Sequence, residues 1–226
     1  MTITTTSLIR TTGLCAVAAG VLFVGVQVKH PPLDLDLVGT TEFTVRQTAK
    51  IAMTVFALAG VAGLYLRQVR QVGLLGLVGY VVFSLGYLTM FSVEAIAAFV
   101  LPAIETTSPE FVQDVLTASV GGAPAGDIGG AQLLLTVSGV GYMVGGLLFG
   151  IALFRAGVVA RWASALLAAA TISTAALAVL PEAFNRPFAI PTGIALIGLG
   201  WSSWRTSQSP DADRAGSVRV GEPAVR

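Results

Sequence analysis

One apolar stretch limits, more than any other feature, what this chain can fold into. The run from Val72 to Leu101 is 30 residues long and contains a single acid, Glu94. About 20 apolar residues cross the ~30 Å hydrocarbon core of a bilayer at a helical rise of ~1.5 Å per residue. The run is therefore long enough to span a membrane. Because it is longer than one bilayer thickness, we expect it to tilt or to project beyond the bilayer.

Composition extends this conclusion to the whole chain. Only 11% of the residues are charged, whereas soluble domains carry about 25%. The mean hydropathy is +0.82, and the 26 glycines are typical of closely packed membrane helices. The net charge of +1 gives no reason to expect a nucleic-acid partner. Cys15 is the single cysteine, which excludes an internal disulfide and a cysteine-based metal site, and we expect no cofactor.

Six apolar runs predict an all-α, polytopic membrane protein with six transmembrane helices. The runs cover about residues 8–28, 47–66, 72–101, 131–154, 162–180 and 187–204. They form one membrane domain over residues 1–204, and the polar tail at 205–226 is predicted to be disordered. The first run resembles a signal peptide, but no cleavage site ends it and five more spans follow. We therefore expect it to remain as the first span.

The distribution of basic residues predicts the orientation of these spans. Lys and Arg favour the cytoplasmic side of a membrane. With the N-terminus in the cytoplasm, nine of the 13 basic residues lie on that side. All three tryptophans then lie at the cytoplasmic interface, as an aromatic belt does. The prediction is a protein of a bacterial cytoplasmic membrane with both termini inside and acidic outer loops.

The outer loops carry two local predictions. Between 33 and 37, leucines alternate with Asp34 and Asp36, which favours an extended segment with one wet side. In the loop at 103–130, a helix start at Pro109 precedes an amphipathic stretch, which predicts a short helix on the membrane surface. The acidic residues of the outer loops, together with His30, could bind a divalent cation. No ligand spacing is recognisable among them, however, and a solvated acidic surface is the favoured interpretation.

Glu94 is the main functional candidate, because an acid within a membrane helix is costly and needs a partner. It follows Val72 by 22 residues, about 33 Å of helix, which places it near the outer edge of the membrane. Lys50 of the preceding span reaches a similar level. Three interpretations remain: an ion pair with Lys50 that joins the two spans, a carboxylate at the wet interface, or a proton- or cation-binding group in an outward cavity.

Tyr80, Ser84 and Tyr87 share a helix face with Glu94, since they follow one another at steps of four and three. Their polar tips could line a cavity beneath the acid. The favoured interpretation is a packing seam whose hydroxyls bond to neighbouring backbone carbonyls.

The fourth run contains two pairs of small residues at helical spacing. The pairs are Gly141 with Gly145, and Gly146 with Gly150. Such glycines let helix backbones approach closely. We expect them to pack against another span of the same chain, with a face between two copies of the chain as the alternative.

The stretch from Gly146 to Ala169, GLLFGIALFRAGVVARWASALLAA, joins a glycine-rich span through an Arg-Ala-Gly turn to an Ala/Leu-rich span. This pattern resembles uncharacterised bacterial multi-spanning membrane proteins of a domain-of-unknown-function family. The resemblance implies a six-span layout and no particular activity.

No catalytic motif accompanies these spans, so an enzyme is disfavoured. The leading prediction is a non-enzymatic membrane protein with a structural or regulatory role, which works in the lipid bilayer through helix packing or a partner. That partner could be another membrane protein or a second copy of the chain. The alternative is a small proton- or cation-coupled transporter or channel-like protein that uses Glu94.

Overall fold

The structure, a computed structural model, describes residues 4–28, 33–178, 180 and 184–206. Within those ranges all regular secondary structure is helical. The helices are α1 (Thr5–Gly25), α2 (Leu35–Val38), α3 (Thr41–Arg67), α4 (Val69–Phe99), α5 (Leu101–Ile104), α6 (Pro109–Ser119), α7 (Gly130–Ala156), α8 (Arg161–Ser173) and α9 (Asn185–Thr206), with a 3₁₀ helix at Thr174–Ala178 after α8. The predicted all-α class is confirmed.

Four helices, α1, α3, α4 and α7, are long and apolar enough to cross a membrane. The chain is therefore a helical protein with the features of a membrane protein.

The helices extend beyond several predicted boundaries. α3 begins at Thr41, six residues before the expected start, and the Thr40 hydroxyl caps it by accepting a hydrogen bond from the Phe43 N–H. At the C-terminal end, α9 continues to Thr206. The rest of the predicted tail, 207–226, lies outside the described residues.

The predicted fifth span, 162–180, is wrong as one continuous α-helix. The α-helix ends at Ser173 and the chain tightens into the 3₁₀ helix. Three hydroxyls at this point bond to carbonyls three or four residues earlier, namely those of Thr171, Ser173 and Thr174. Such bonds compete with the regular helical pattern, and two of the three residues are β-branched.

Six helices form a closed ring in chain order. Each of α1, α3, α4, α7, α8 and α9 packs against the next, and α9 packs against α1. Neighbours run antiparallel: Gly20 of α1 approaches Gly193 of α9, whereas Gly13 approaches Gly200. The start of α1 and the end of α9 consequently lie at the same end of the ring.

The two ends of the ring carry opposite charge. We call the end that holds the start of α1 the basic end, because six described arginines lie there: Arg10, Arg67, Arg70, Arg155, Arg161 and Arg205. Seven of the eight described acids lie at the opposite, acidic end: Asp34, Asp36, Glu42, Glu105, Glu110, Asp114 and Asp127. The remaining acid is Glu94.

Short helices cover part of the acidic end. α6 buries Val112, Val115 and Leu116 in a second apolar cluster with α2, α5 and the ends of α3, α4 and α7. The predicted helix is present, and its apolar face packs on the ring; its position at a membrane surface stays a prediction. The extended segment expected at 33–37 is also wrong, because Asp34 caps α2 by accepting from the Asp36 N–H at 3.3 Å.

Candidate binding site

Lys50 and Glu94 meet where α3 and α4 run side by side toward the acidic end. Lys50 Nζ lies 3.6 Å from Glu94 Oε2. The side chains are 16% and 13% exposed, so both charges are largely withdrawn from the surface. Lys50 precedes Arg67 by 17 residues, about 25 Å along α3, which places the pair well above the basic end. The ion pair expected between the two spans is therefore present.

The pair has no further hydrogen-bond partner among the protein groups that the structure describes. The Nζ–Oε2 distance of 3.6 Å is itself longer than a hydrogen bond. An ammonium has three donors, and a carboxylate accepts through about four lone-pair positions. The described part of the chain therefore supplies neither charged group with a second partner.

Two cavities meet at the ion pair. The first has a volume of about 260 Å³ and the second of about 530 Å³. Both are lined by Lys50 and Glu94, together with four more common residues: Met90, Ser119, Leu135 and Gly139. Glu94 is thus both paired with Lys50 and open to a cavity, a combination that the sequence-based interpretations treated as alternatives.

The first cavity has apolar walls and a roof from the short helices. Val115 and Leu116 of α6 lie above it, and Leu101 of α5 completes this side. Apart from the ion pair and Ser119, the polar lining consists of Gln47 and Ser138, which are 5% and 8% exposed. The cavity is therefore an apolar chamber with one charged wall.

The second cavity reaches an aromatic cluster that fills the middle of the ring. Tyr142 lines it and lies near the midpoint of α7, and the Tyr142 hydroxyl hydrogen-bonds to Thr192 Oγ1 at 2.7 Å. The rings of Phe83, Tyr87 and Tyr142 pack with centroids 4.8 to 6.2 Å apart. Phe149 extends the cluster toward the basic end. The cluster forms the floor beneath the cavities.

The predicted tyrosine seam divides between two neighbours. Tyr80 stacks on Tyr65 of α3 with ring centroids 4.6 Å apart, whereas Tyr87 joins the central aromatic cluster. None of Tyr80, Ser84 and Tyr87 lines either cavity. Packing is therefore their role here. The expected bonds to backbone carbonyls are absent, since the Ser84 and Tyr87 hydroxyls are buried with no hydrogen-bond partner among the described residues.

The glycine pairs of α7 pack within the chain, as expected. Gly141 and Gly145 contact the α4 backbone, whereas Gly146 and Gly150 contact α8. A Cβ at Gly141 would lie 2.8 Å from the Gly86 Cα, and a Cβ at Gly150 would lie 2.7 Å from a backbone nitrogen of α8. Both glycine pairs of α7 consequently face neighbouring helices of the same chain.

The described acids form no group of three or more His, Cys, Asp or Glu that could hold a metal ion. His30 lies outside the described residues. Sequence reasoning missed Gln47, Ser138 and the roof helix as parts of the first cavity and Tyr142 as part of the second. Helical periodicity could have placed Ser138 and Tyr142 on one face, but nothing local showed which helix that face meets.

The geometry defines a class: a ring of helices with the hydropathy of a membrane protein and a charged, partly enclosed cavity near its acidic end. In comparisons with known proteins, no family model, no curated protein and no solved structure matches the chain. The resemblance to a domain-of-unknown-function family stays a prediction.

Proposed function

We propose that this chain is a non-enzymatic, six-span protein of a bacterial cytoplasmic membrane that binds a small molecule from the outer side, in the cavities at Lys50 and Glu94. The single observation that carries the proposal is that the Lys50–Glu94 ion pair lines two cavities. A purely structural pair would be enclosed by the helices that it joins. Pockets that bind small molecules are mostly apolar with a few placed polar groups, as these are.

The orientation rests on the separation of charge between the two ends. With arginines at one end and acids at the other, the basic end faces the cytoplasm and the cavities face outward. Six spans follow if α8, with its 3₁₀ extension, and α9 cross the membrane beside the four longer helices. Both termini then lie in the cytoplasm, and a regulatory role suits a protein that senses a molecule outside the cell.

Single cysteines test this arrangement in intact cells, in a Cys15→Ala background treated with a membrane-impermeant maleimide. Leu135→Cys, at a half-buried position that lines both cavities, is expected to react from outside. Arg70→Cys, at an exposed position of the basic end, is expected to react only after permeabilisation. Thr171→Cys, at a position with no exposed surface between α7 and α8, serves as the unreactive control.

Two results would overturn the proposal. Labelling of Arg70→Cys in intact cells would show that the basic end faces outward, the opposite of the proposed orientation. Protection of Leu135→Cys, in cells where an exposed acidic-end position such as Gln113→Cys reacts, would show that the cavities are closed to the outside.

A second candidate is the proton- or cation-coupled transporter. It is favoured by the depth of the second cavity, which extends from Glu94 to Tyr142 near the middle of α7. Proteoliposomes distinguish it from the first candidate. A Glu94-dependent proton or cation flux would support transport, whereas binding without flux supports the regulatory protein.

A further inference from the structure

We propose that the ligand of these cavities is a zwitterion with an apolar chain, whose ammonium group binds Glu94 and whose anionic group binds Lys50. This inference rests on the proposed binding function and names the chemical class of its ligand. Two sources share the chemistry: a free hydrophobic amino acid, and the headgroup of an aminophospholipid.

The first argument is the accessibility of both charges. Lys50 and Glu94 each line both cavities, so a ligand can reach the ammonium and the carboxylate from one chamber. Their contact at 3.6 Å is longer than a hydrogen bond. A ligand can therefore bond to both charged groups without breaking an existing hydrogen bond to a described residue.

The second argument is charge balance in a chamber of low polarity. A ligand that carried only a positive charge would bind Glu94 but be repelled by the Lys50 ammonium beside it, and one that carried only a negative charge would bind Lys50 but be repelled by the Glu94 carboxylate. Either would leave an unbalanced charge in an apolar environment, which is costly. A zwitterion aligned antiparallel to the ion pair adds two opposite-charge contacts and keeps the net charge of the site at zero.

The third argument is the rest of the wall. Around the pair, the first cavity is lined mainly by aliphatic side chains: Leu33, Met90, Val93, Ile96, Leu101 and Leu134. An apolar group that moves from water onto these surfaces gains about 25 cal/mol per Å² of apolar area buried. An apolar chain next to the charged head matches this arrangement, whereas a small polar zwitterion such as glycine leaves the walls uncovered.

Binding of defined probes to the purified full chain tests the proposal. The protein is placed in nanodiscs of phosphatidylglycerol, which carries no ammonium group, and titrated with radiolabelled leucine. Leucinamide, which keeps only the cation, and 4-methylpentanoate, which keeps only the anion, compete for the same site. Parallel nanodiscs that contain phosphatidylethanolamine report whether that lipid displaces leucine and raises the unfolding temperature.

We expect leucine or phosphatidylethanolamine to bind at least tenfold more tightly than either single-charge probe and glycine. Saturable leucine binding identifies the free amino acid as the source, and protection by phosphatidylethanolamine alone identifies the lipid. Glu94→Gln should weaken the binding at least tenfold. The double variant Lys50→Glu, Glu94→Lys keeps a pair of opposite charges and should restore binding, because the zwitterion can turn round. The variant Glu42→Gln, Arg46→Met removes a second ion pair that lines neither cavity; it is the matched control and should bind normally.

Equal binding of the single-charge probes would overturn the zwitterion, as would unchanged leucine or lipid binding in Glu94→Gln. Absence of binding by both zwitterions, in protein whose Leu135→Cys is labelled from outside, would overturn the ligand class while leaving the proposed binding function intact. Protection of Leu135→Cys would instead remove the proposed function itself.

Discussion

Removal of either charge from the Lys50–Glu94 pair is expected to destabilise the protein, and removal of both is expected to cost less than the two single losses added together. Glu94→Gln leaves the Lys50 ammonium without its partner, and Lys50→Met leaves the carboxylate without its partner. Each single variant should lower the free energy of unfolding by about 2 kcal/mol, since breaking a buried pair costs up to about 3–5 kcal/mol and this pair is not fully enclosed. The double variant should lose less than the sum of the two.

The size of the coupling follows from the geometry. At about 4 Å and an effective dielectric constant of ~20, two charges attract by about 4 kcal/mol. Desolvation and the loss of side-chain freedom offset much of this attraction. Exposed pairs contribute about 0–1 kcal/mol. Because the two side chains are 16% and 13% exposed, we expect a coupling energy between these limits, about 1.5 kcal/mol.

Reversible unfolding in sodium dodecyl sulfate, followed by circular dichroism, provides the assay for this double-mutant cycle. The pair of Glu42 and Arg46 is the matched control. Its atoms are closer, at 2.8 Å, but the carboxylate side chain is 56% exposed, and its coupling should be about 0.3–0.5 kcal/mol. A Lys50–Glu94 coupling no larger than that of the control would refute the reasoning that burial strengthens the pair.

Three further predictions concern packing, buried hydroxyls and the roof of the cavity, each measured on purified protein. Gly145→Ala should lower the unfolding free energy by about 1–3 kcal/mol, because its Cβ would collide with the α4 backbone; Gly139→Ala, with open space at that position, is the control and should be near neutral. Tyr142→Phe should cost about 1–2 kcal/mol by removing a buried hydrogen bond to α9, whereas Tyr87→Phe should be neutral or stabilising because its hydroxyl has no partner among the described residues; equal losses in the two would contradict this. Asp114→Ala removes two hydrogen bonds of 2.8 Å to backbone N–H groups at 125 and 126, so limited proteolysis should cleave the 121–129 segment several-fold faster, and an unchanged cleavage rate would contradict that role.

Local chemistry was sufficient to predict much of the fold. The run around Glu94, the low charge content and the spacing of the arginines indicated a helical membrane protein, because these properties depend only on composition and helical rise. The level of Lys50 relative to Glu94 followed from the same rise along two antiparallel helices. Gly141 and Gly150 were recognisable as packing positions, since a missing Cβ matters wherever two helices meet.

The tertiary structure decided which surfaces meet. The sequence by itself established that Glu94 needs a partner and that Lys50 could be one, but only the closed ring showed that the pair also faces two cavities. Tyr142 and Ser138 became cavity residues because α7 turns that face toward α3 and α4, and α6 became a roof because the ring offers its apolar face a partner. A helical pattern specifies a face of one helix. The neighbour of that face depends on contacts between residues far apart in the chain, and no local pattern contains them.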